Sequence, residues 1–135
     1  MKSLRQLLRE RHEWMEARIF EGAERKGYGG ITPAMSRLYG QISREPIGLS
    51  ELARQMGISR QAIHKMVGEG VQAGFLELVD SEEDRRIKLV RFSLEGLRMA
   101  DAARQEMESI EQELAERIGG EDLEELRRIL AKAWY

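Results

Sequence analysis

Between Leu97 and Ile118, apolar residues recur in steps of three and four, at Leu97, Ala100, Ala103, Met107, Ile110, Leu114 and Ile118, with charged residues at most of the remaining positions. That spacing is the period of a single helix of roughly 26 residues, about 39 Å long. A continuous apolar stripe of that length cannot be covered by one small lobe, so other helices, from this chain or from a second copy, must meet it. At 135 residues the chain has one domain's worth of core, so a multidomain enzyme is not expected. Two further segments need a partner for an apolar face. Leu4, Leu8, Met15 and Ile19 share a stripe that predicts a helix over roughly residues 3–25, and Leu123, Leu126, Leu130 and Ala133 predict a last helix, facing inward, after Gly119-Gly120. With 41% hydrophobic and 34% charged residues the chain reads as soluble and globular. The absence of cysteine removes disulfides, thiolate zinc sites, cysteine nucleophiles and thiol redox sensing together. No run of about 18 apolar residues exists and Met1-Lys2-Ser3-Leu4-Arg5 lacks an apolar signal core, so the expected location is cytoplasmic, with no membrane partner.

The middle of the chain is punctuated differently. Gly27-Tyr28-Gly29-Gly30 breaks the first helix, and Thr32-Pro33 supplies a cap and a first-turn proline for a second helix. This helix should run to about Arg44 and bury Met35, Leu38, Tyr39 and Ile42. After a turn at Glu45 to Gly48, Ser50 is expected to cap a short third helix from Glu51 to about Met56. Gly57 ends it, and Ser59 caps a fourth helix over roughly residues 60–73 with Ile63, Met66 and Val67 facing inward. Gly74 closes that helix. Two β-prone runs, Phe75 to Val79 and Ile87 to Phe92, follow as a hairpin with the charged tip Ser81 to Arg86, and Ser93 caps the long helix.

The third and fourth helices have the spacing of a helix-turn-helix. Ala53 is small where the second helix crosses close above it, Gly57 can take the positive φ of a sharp turn, and Ile63 fills the angle between the helices, with Leu52, Ile58 and Met66 completing the core. A hairpin directly after such a pair makes a winged helix, in which one helix enters the major groove and the wing tip reaches the flanking backbone or minor groove. The tip holds three acids, Glu82, Glu83 and Asp84, beside Arg85 and Arg86. Asp84 is expected to hold an arginine in fixed geometry, so that its guanidinium is presented already ordered.

On these residues the sequence resembles the MarR family of bacterial transcriptional regulators over nearly its whole length. The likeness rests on Leu52-Ala53-Arg54 with Gly57-Ile58-Ser59-Arg60-Gln61-Ala62, on Ala73-Gly74-Phe75-Leu76, on Glu83-Asp84-Arg85-Arg86, and on Leu89-Val90-Arg91-Phe92-Ser93 with Gly96. Asp84 and Arg86 resemble the family's aspartate-x-arginine wing motif, and Ser93 stands where the family usually has threonine. The resemblance implies a single domain over residues 1–135, mainly α with a small β-wing. Residues 31–93 would form the winged helix-turn-helix lobe, and residues 1–26 and 94–135 the N- and C-terminal dimerisation helices. It further implies a homodimer that binds a pseudo-palindromic operator as a repressor, often relieved by a small ligand. One departure is Gly68 and Gly70 inside the recognition helix, each costing about 1 kcal/mol relative to alanine, from which its second half is expected to bend or end early.

Recognition helices offer their first turns to base edges, which selects Ser59, Arg60, Gln61, His64 and Lys65, off the Ile63-Met66-Val67 face. Gln61 suits adenine N6 and N7, and Arg60 suits guanine O6 and N7. Lys65 and Ser59 suit phosphate, as do Arg54 and Arg44, and Arg86 suits the minor groove. The only other histidine, His12, is expected at the surface or a dimer interface. With two histidines and no cysteine, no metal site is expected, nor any cofactor. A dimer interface is expected to draw on Leu4, Leu8, Met107, Ile110, Leu114, Ile118, Leu126 and Leu130. Trp14, Arg18, Met35 and Tyr39 are the candidates for a pocket that takes a phenolic or other aromatic carboxylate.

Charge tempers this reading. Residues 1–50 carry nine basic and six acidic side chains, residues 51–93 carry seven of each, and residues 94–135 carry six basic against eleven acidic. The acid is concentrated at the C-terminal end, away from the part expected to hold phosphate. The neutral winged-helix segment with its acidic tip leaves an alternative open, a winged helix that binds protein and not DNA. Catalysis is not expected, because no nucleophile elbow, phosphate-binding glycine loop or paired metal-ligand motif is present.

Overall fold

A computed structural model describes all residues, 1–135. The chain is mainly helical with a small antiparallel sheet, in the order α1 (Leu4–Arg25), α2 (Pro33–Gln41), β1 (Ile47–Gly48), α3 (Leu49–Met56), α4 (Arg60–Gln72), β2 (Leu76–Asp80), β3 (Lys88–Phe92), α5 (Leu94–Ile118) and α6 (Gly120–Leu130). It divides into two compact units, residues 28–102 and residues 1–27 with 103–135. No helix is long and apolar enough to cross a membrane.

The first unit is a winged-helix lobe. Its core is Met35, Leu38, Ile42, Leu49, Leu52, Ala53, Ile63, Val67, Leu76, Val90, Phe92 and Met99, drawn from α2, α3, α4, the sheet and the first turns of α5. Thr32 caps α2 through its hydroxyl, which accepts from the Met35 amide, and Pro33 opens the helix. The helix stops at Gln41, short of the expected Arg44, because Ile42 turns extended and sends its side chain into the core. The two-residue strand β1 is too short to show a period in the sequence. Ile47 and Gly48 pair with Val90 and Leu89, making a sheet of order β1-β3-β2. That pairing delivers the chain to α3 two residues early, so Gly48 and not Ser50 takes the cap position, without a side-chain cap bond, and Ser50 lies within the helix. Gly57 then adopts φ +66°, the left-handed turn between α3 and α4.

The expected interruption of α4 does not occur, since the helix runs unbroken from Arg60 to Gln72. Gly70 is required there: a Cβ on it would lie 2.5 Å from Cδ1 of Leu76, so the glycine lets the helix settle on the sheet. Gly96 has the same role at the start of α5, where a Cβ would meet the Phe75 carbonyl oxygen at 1.9 Å. That oxygen accepts the Ser93 amide, while the Ser93 hydroxyl accepts the Gly96 amide and donates to the Gly74 carbonyl.

The helical unit is held differently. The Ser3 hydroxyl accepts from the Gln6 amide and caps α1. Glu106 of α5 is almost buried, pressed against Gly22 of α1, and it pairs with Arg25 at 2.7 Å and Lys26 at 3.3 Å. Burial pushes the Glu106 carboxyl up, but the bonds from Lys26 and Arg25 outweigh it and hold the group below the ordinary glutamate range. One turn or more along, Arg18 makes a two-pronged pair with Glu113, and Arg127 of α6 donates to Glu111 of α5 at 3.2 Å.

The apolar stripe of α5 does not all face inward. Gly96, Met99, Glu106 and Ile110 are the buried positions of α5, whereas Leu97, Ala103 and Ile118 are exposed, because Gly96 and Met99 turn the helix start toward the lobe core. Ile110, expected at a dimer interface, is thus covered by its own chain. In α6 no residue is buried; Leu126, Ile129 and Leu130 are exposed and Leu123 is half-buried, where an inward face was expected.

Candidate nucleic-acid interface

The helix-turn-helix builds its surface by burying one side of α4. Ile63 and Val67 are fully enclosed and Met66 packs at the edge, so the side chains between them point away. Ser59, Arg60, Gln61, His64 and Lys65 are all exposed. The Ser59 hydroxyl caps the helix by accepting the Ala62 amide at 3.0 Å, fixing where the helix starts and with it the direction of those five side chains. Arg60 donates from Nη2 to the Ser50 hydroxyl of α3 at 3.1 Å. Arg54 on α3 is exposed and paired with Glu51, and Arg44 is exposed in the loop after α2.

The wing is closed by short-range bonds. The Ser81 amide donates to the Ile87 carbonyl and the Ile87 amide to the Asp84 carbonyl. Asp84 accepts three bonds from Arg86, from its backbone amide at 3.0 Å, from Nε at 3.1 Å and from Nη2 at 3.0 Å. The guanidinium is therefore ordered along a carboxylate edge while its side chain stays 90% exposed. The Arg86 side-chain bond, and then its amide, hold the Asp84 carboxyl below the ordinary aspartate range, and the same bond raises the arginine. Further down the strands the register places Asp80 opposite Lys88 and Glu77 opposite Arg91, and both pairs are bonded. Arg85 is the wing cation that no carboxylate engages. Composition does not single it out, because pairing across a hairpin depends on register.

The other expected residues fall in different places. Met35 is buried in the lobe core, and Tyr39 packs edge-on against Phe75 with ring centroids 5.9 Å apart; burial raises its hydroxyl pKa. In the helical unit the Arg18 guanidinium lies 5.5 Å from the Trp14 ring centre, a cation–π contact, with its fork on Glu113. His12 is exposed, 3.3 Å from Glu16. Leu4, Ile118, Leu126 and Leu130 are exposed, and Leu8, Met107 and Leu114 are half-buried.

Comparison with known proteins agrees with this geometry. A family model described as MarR family matches residues 30–87. The HTH-type transcriptional regulator TcaR of Staphylococcus aureus is 22% identical over 102 residues, covering 74% of this chain and 68% of the relative. Wild-type MarR from Escherichia coli in its apo form is 20% identical, covers 100% of this chain and 99% of its own, and superposes with a TM-score of 0.74. RV1404 from Mycobacterium tuberculosis gives 19% identity, 96% and 91% coverage, and a TM-score of 0.78. At these identities the solved structures establish a common winged-helix fold.

Proposed function

We propose that the chain is a member of the MarR family, whose model matches residues 30–87, and that it is a sequence-specific DNA-binding transcriptional regulator, a repressor that meets a pseudo-palindromic operator as a homodimer. The observation that carries this reading is the two-sidedness of α4, anchored by Ile63 and Val67 and presenting Ser59, Arg60, Gln61, His64 and Lys65 outward from its first turns. Gln61 pairs with adenine and Arg60 with guanine in the major groove, and His64 hydrogen-bonds beside them. Ser59, Lys65, Arg54 and Arg44 hold phosphates, and Arg86, ordered by Asp84, enters the minor groove. In a homodimer the exposed apolar residues of α1, α5 and α6 cover one another, with Leu4, Leu8, Met107, Leu114, Ile118, Leu126 and Leu130 at the interface. Two recognition helices then lie about 34–36 Å apart, as successive major grooves require.

Release from DNA is proposed to follow binding of an aromatic carboxylate by Arg18 beside Trp14. The ligand would compete with Glu113 for the guanidinium fork and so favour the form less suited to DNA.

Salt dependence tests the main reading. Phosphate contacts release counterions, so affinity for a selected operator is expected to fall about a thousandfold or more between about 50 and 200 mM salt. The lobe from residue 28 to residue 102 holds ten basic and ten acidic side chains, which is what keeps a protein-binding winged helix in view. A flat salt response would assign that role instead.

A further inference from the structure

We propose that Ser50 is a positioning residue for base recognition: its hydroxyl holds the Arg60 guanidinium in place without neutralising it. The proposal rests on the DNA-binding reading above and goes beyond it in assigning specificity to a side chain that would not itself touch a base.

Ser50 is exposed in the first turn of α3, and it does not cap that helix, because Gly48 occupies the cap position and no side chain bonds there. Its hydroxyl instead accepts from Arg60 Nη2 at 3.1 Å, across ten residues and the left-handed turn at Gly57. Arg60 is the first residue of α4, exposed and long, and ordering a free arginine costs up to about 2 kcal/mol of rotamer entropy. The tether meets part of that cost before any DNA arrives. It uses one of five N–H donors, so the others stay free for the O6 and N7 acceptors of guanine.

The choice of a hydroxyl matters. On the wing, Arg86 is held by a carboxylate that takes one edge of its guanidinium with two bonds and offsets its charge. The carboxylate nearest Arg60 along α3 is Glu51, next to Ser50, and Glu51 is engaged by Arg54 and Gln55 of its own helix. Arg60 is therefore ordered by a neutral acceptor and keeps its full charge for the electron-rich guanine edge.

The test selects operators from a random duplex pool with the wild-type protein and with Arg60→Ala, Ser50→Ala and Ser50→Thr. The base pair at which Arg60→Ala loses its preference is the one that Arg60 reads. There, Ser50→Ala is expected to lower the preference about fivefold, the scale of one exposed hydrogen bond. Its affinity for random DNA should stay within about twofold of wild type, its melting temperature should be unchanged, and Ser50→Thr, which keeps the hydroxyl, should restore the preference. An equal loss by Ser50→Ala on every sequence would make Ser50 a phosphate contact and overturn the proposal. Unchanged selection by Ser50→Ala, or an Arg60→Ala variant that loses no preference, would overturn it as well. A wild-type protein that enriches no sequence would overturn the DNA-binding reading itself, a failure distinguishable from the others by that control alone.

Discussion

The winged-helix lobe and the helical unit are built on opposite terms. In the lobe, twelve apolar residues from its helices, β2, β3 and the turn after α2 meet in one core, and three ion pairs tie the wing's strands and tip. The helical unit has α1 and α6 tied to α5 through ion pairs on Glu106, Glu113 and Glu111, while α6 buries nothing and leucines stand open along its length. Charge pairs between exposed side chains contribute little, typically below about 1 kcal/mol each, whereas a closed apolar core contributes most of a domain's stability. The lobe is thus finished within one chain. The helical unit has apolar faces that a second chain would finish, which is why the operator-binding proposal needs a homodimer.

Breaking each side of that contrast should have different consequences. The largest effect is expected from Gly96→Ala, because the new methyl would meet a backbone oxygen that is fixed by the Ser93 amide and cannot move aside like a side chain. A loss of about 3 kcal/mol, at the upper end for overpacking, should appear as a lowered denaturant midpoint. Next comes Leu126→Asp, on the exposed face of α6. It should weaken self-association by about 2 kcal/mol or some 30-fold in sedimentation, while circular dichroism of the lobe is retained. An unweakened dimer would move the proposed interface elsewhere.

Gly70→Ala and Gly68→Ala sharpen the comparison within a single helix. At Gly70 a methyl would run into Leu76, so a net loss of about 1 kcal/mol is expected even after the gain in helix propensity. At Gly68 nothing lies within 4 Å of the added carbon, and the same change should stabilise by a little under 1 kcal/mol. Smallest is an acid effect in the helical unit. The folded Glu106 binds its proton at lower pH than the unfolded chain does, near about 4.3. Its contribution is therefore complete above that value and is lost as pH falls through the lowered folded value. The melting temperature of wild type should fall more steeply on the acid side than that of Glu106→Gln, and parallel curves would show that the clamp adds nothing.

The features legible from sequence were those with local causes. Thr32, Ser59 and Ser93 announce helix starts because each cap bond spans three residues, and Gly57 announces the turn through its backbone freedom. The strand at Ile47–Gly48 was not legible, since its only reason to be extended is a partner more than forty residues away at Leu89 and Val90. The same non-local pairing displaced the expected cap from Ser50 and freed its hydroxyl for Arg60. On α5 the periodicity was right, but a stripe says nothing of who covers it, so Met99 and Glu106, not Leu97 and Ala103, came to face the chain's own interior. Glu106 was hidden because a buried carboxylate needs both the gap left by Gly22 and the cations at the end of α1. At the wing, the composition gave Asp84 beside arginines, and only the register told which cations are matched and that Arg85 is not.

The central claim is that the outward face of α4 lies in the major groove, twice, one helical turn apart. The chain has no cysteine, so Gly68→Cys, on the open exposed face that continues from Gln61 and Lys65, introduces a single thiol for an iron-chelate cleavage reagent. The account predicts two clusters of strand scission on a selected operator, each in a major groove and separated by about 10 base pairs. Cleavage spread evenly along the duplex, or a single cluster, would contradict it.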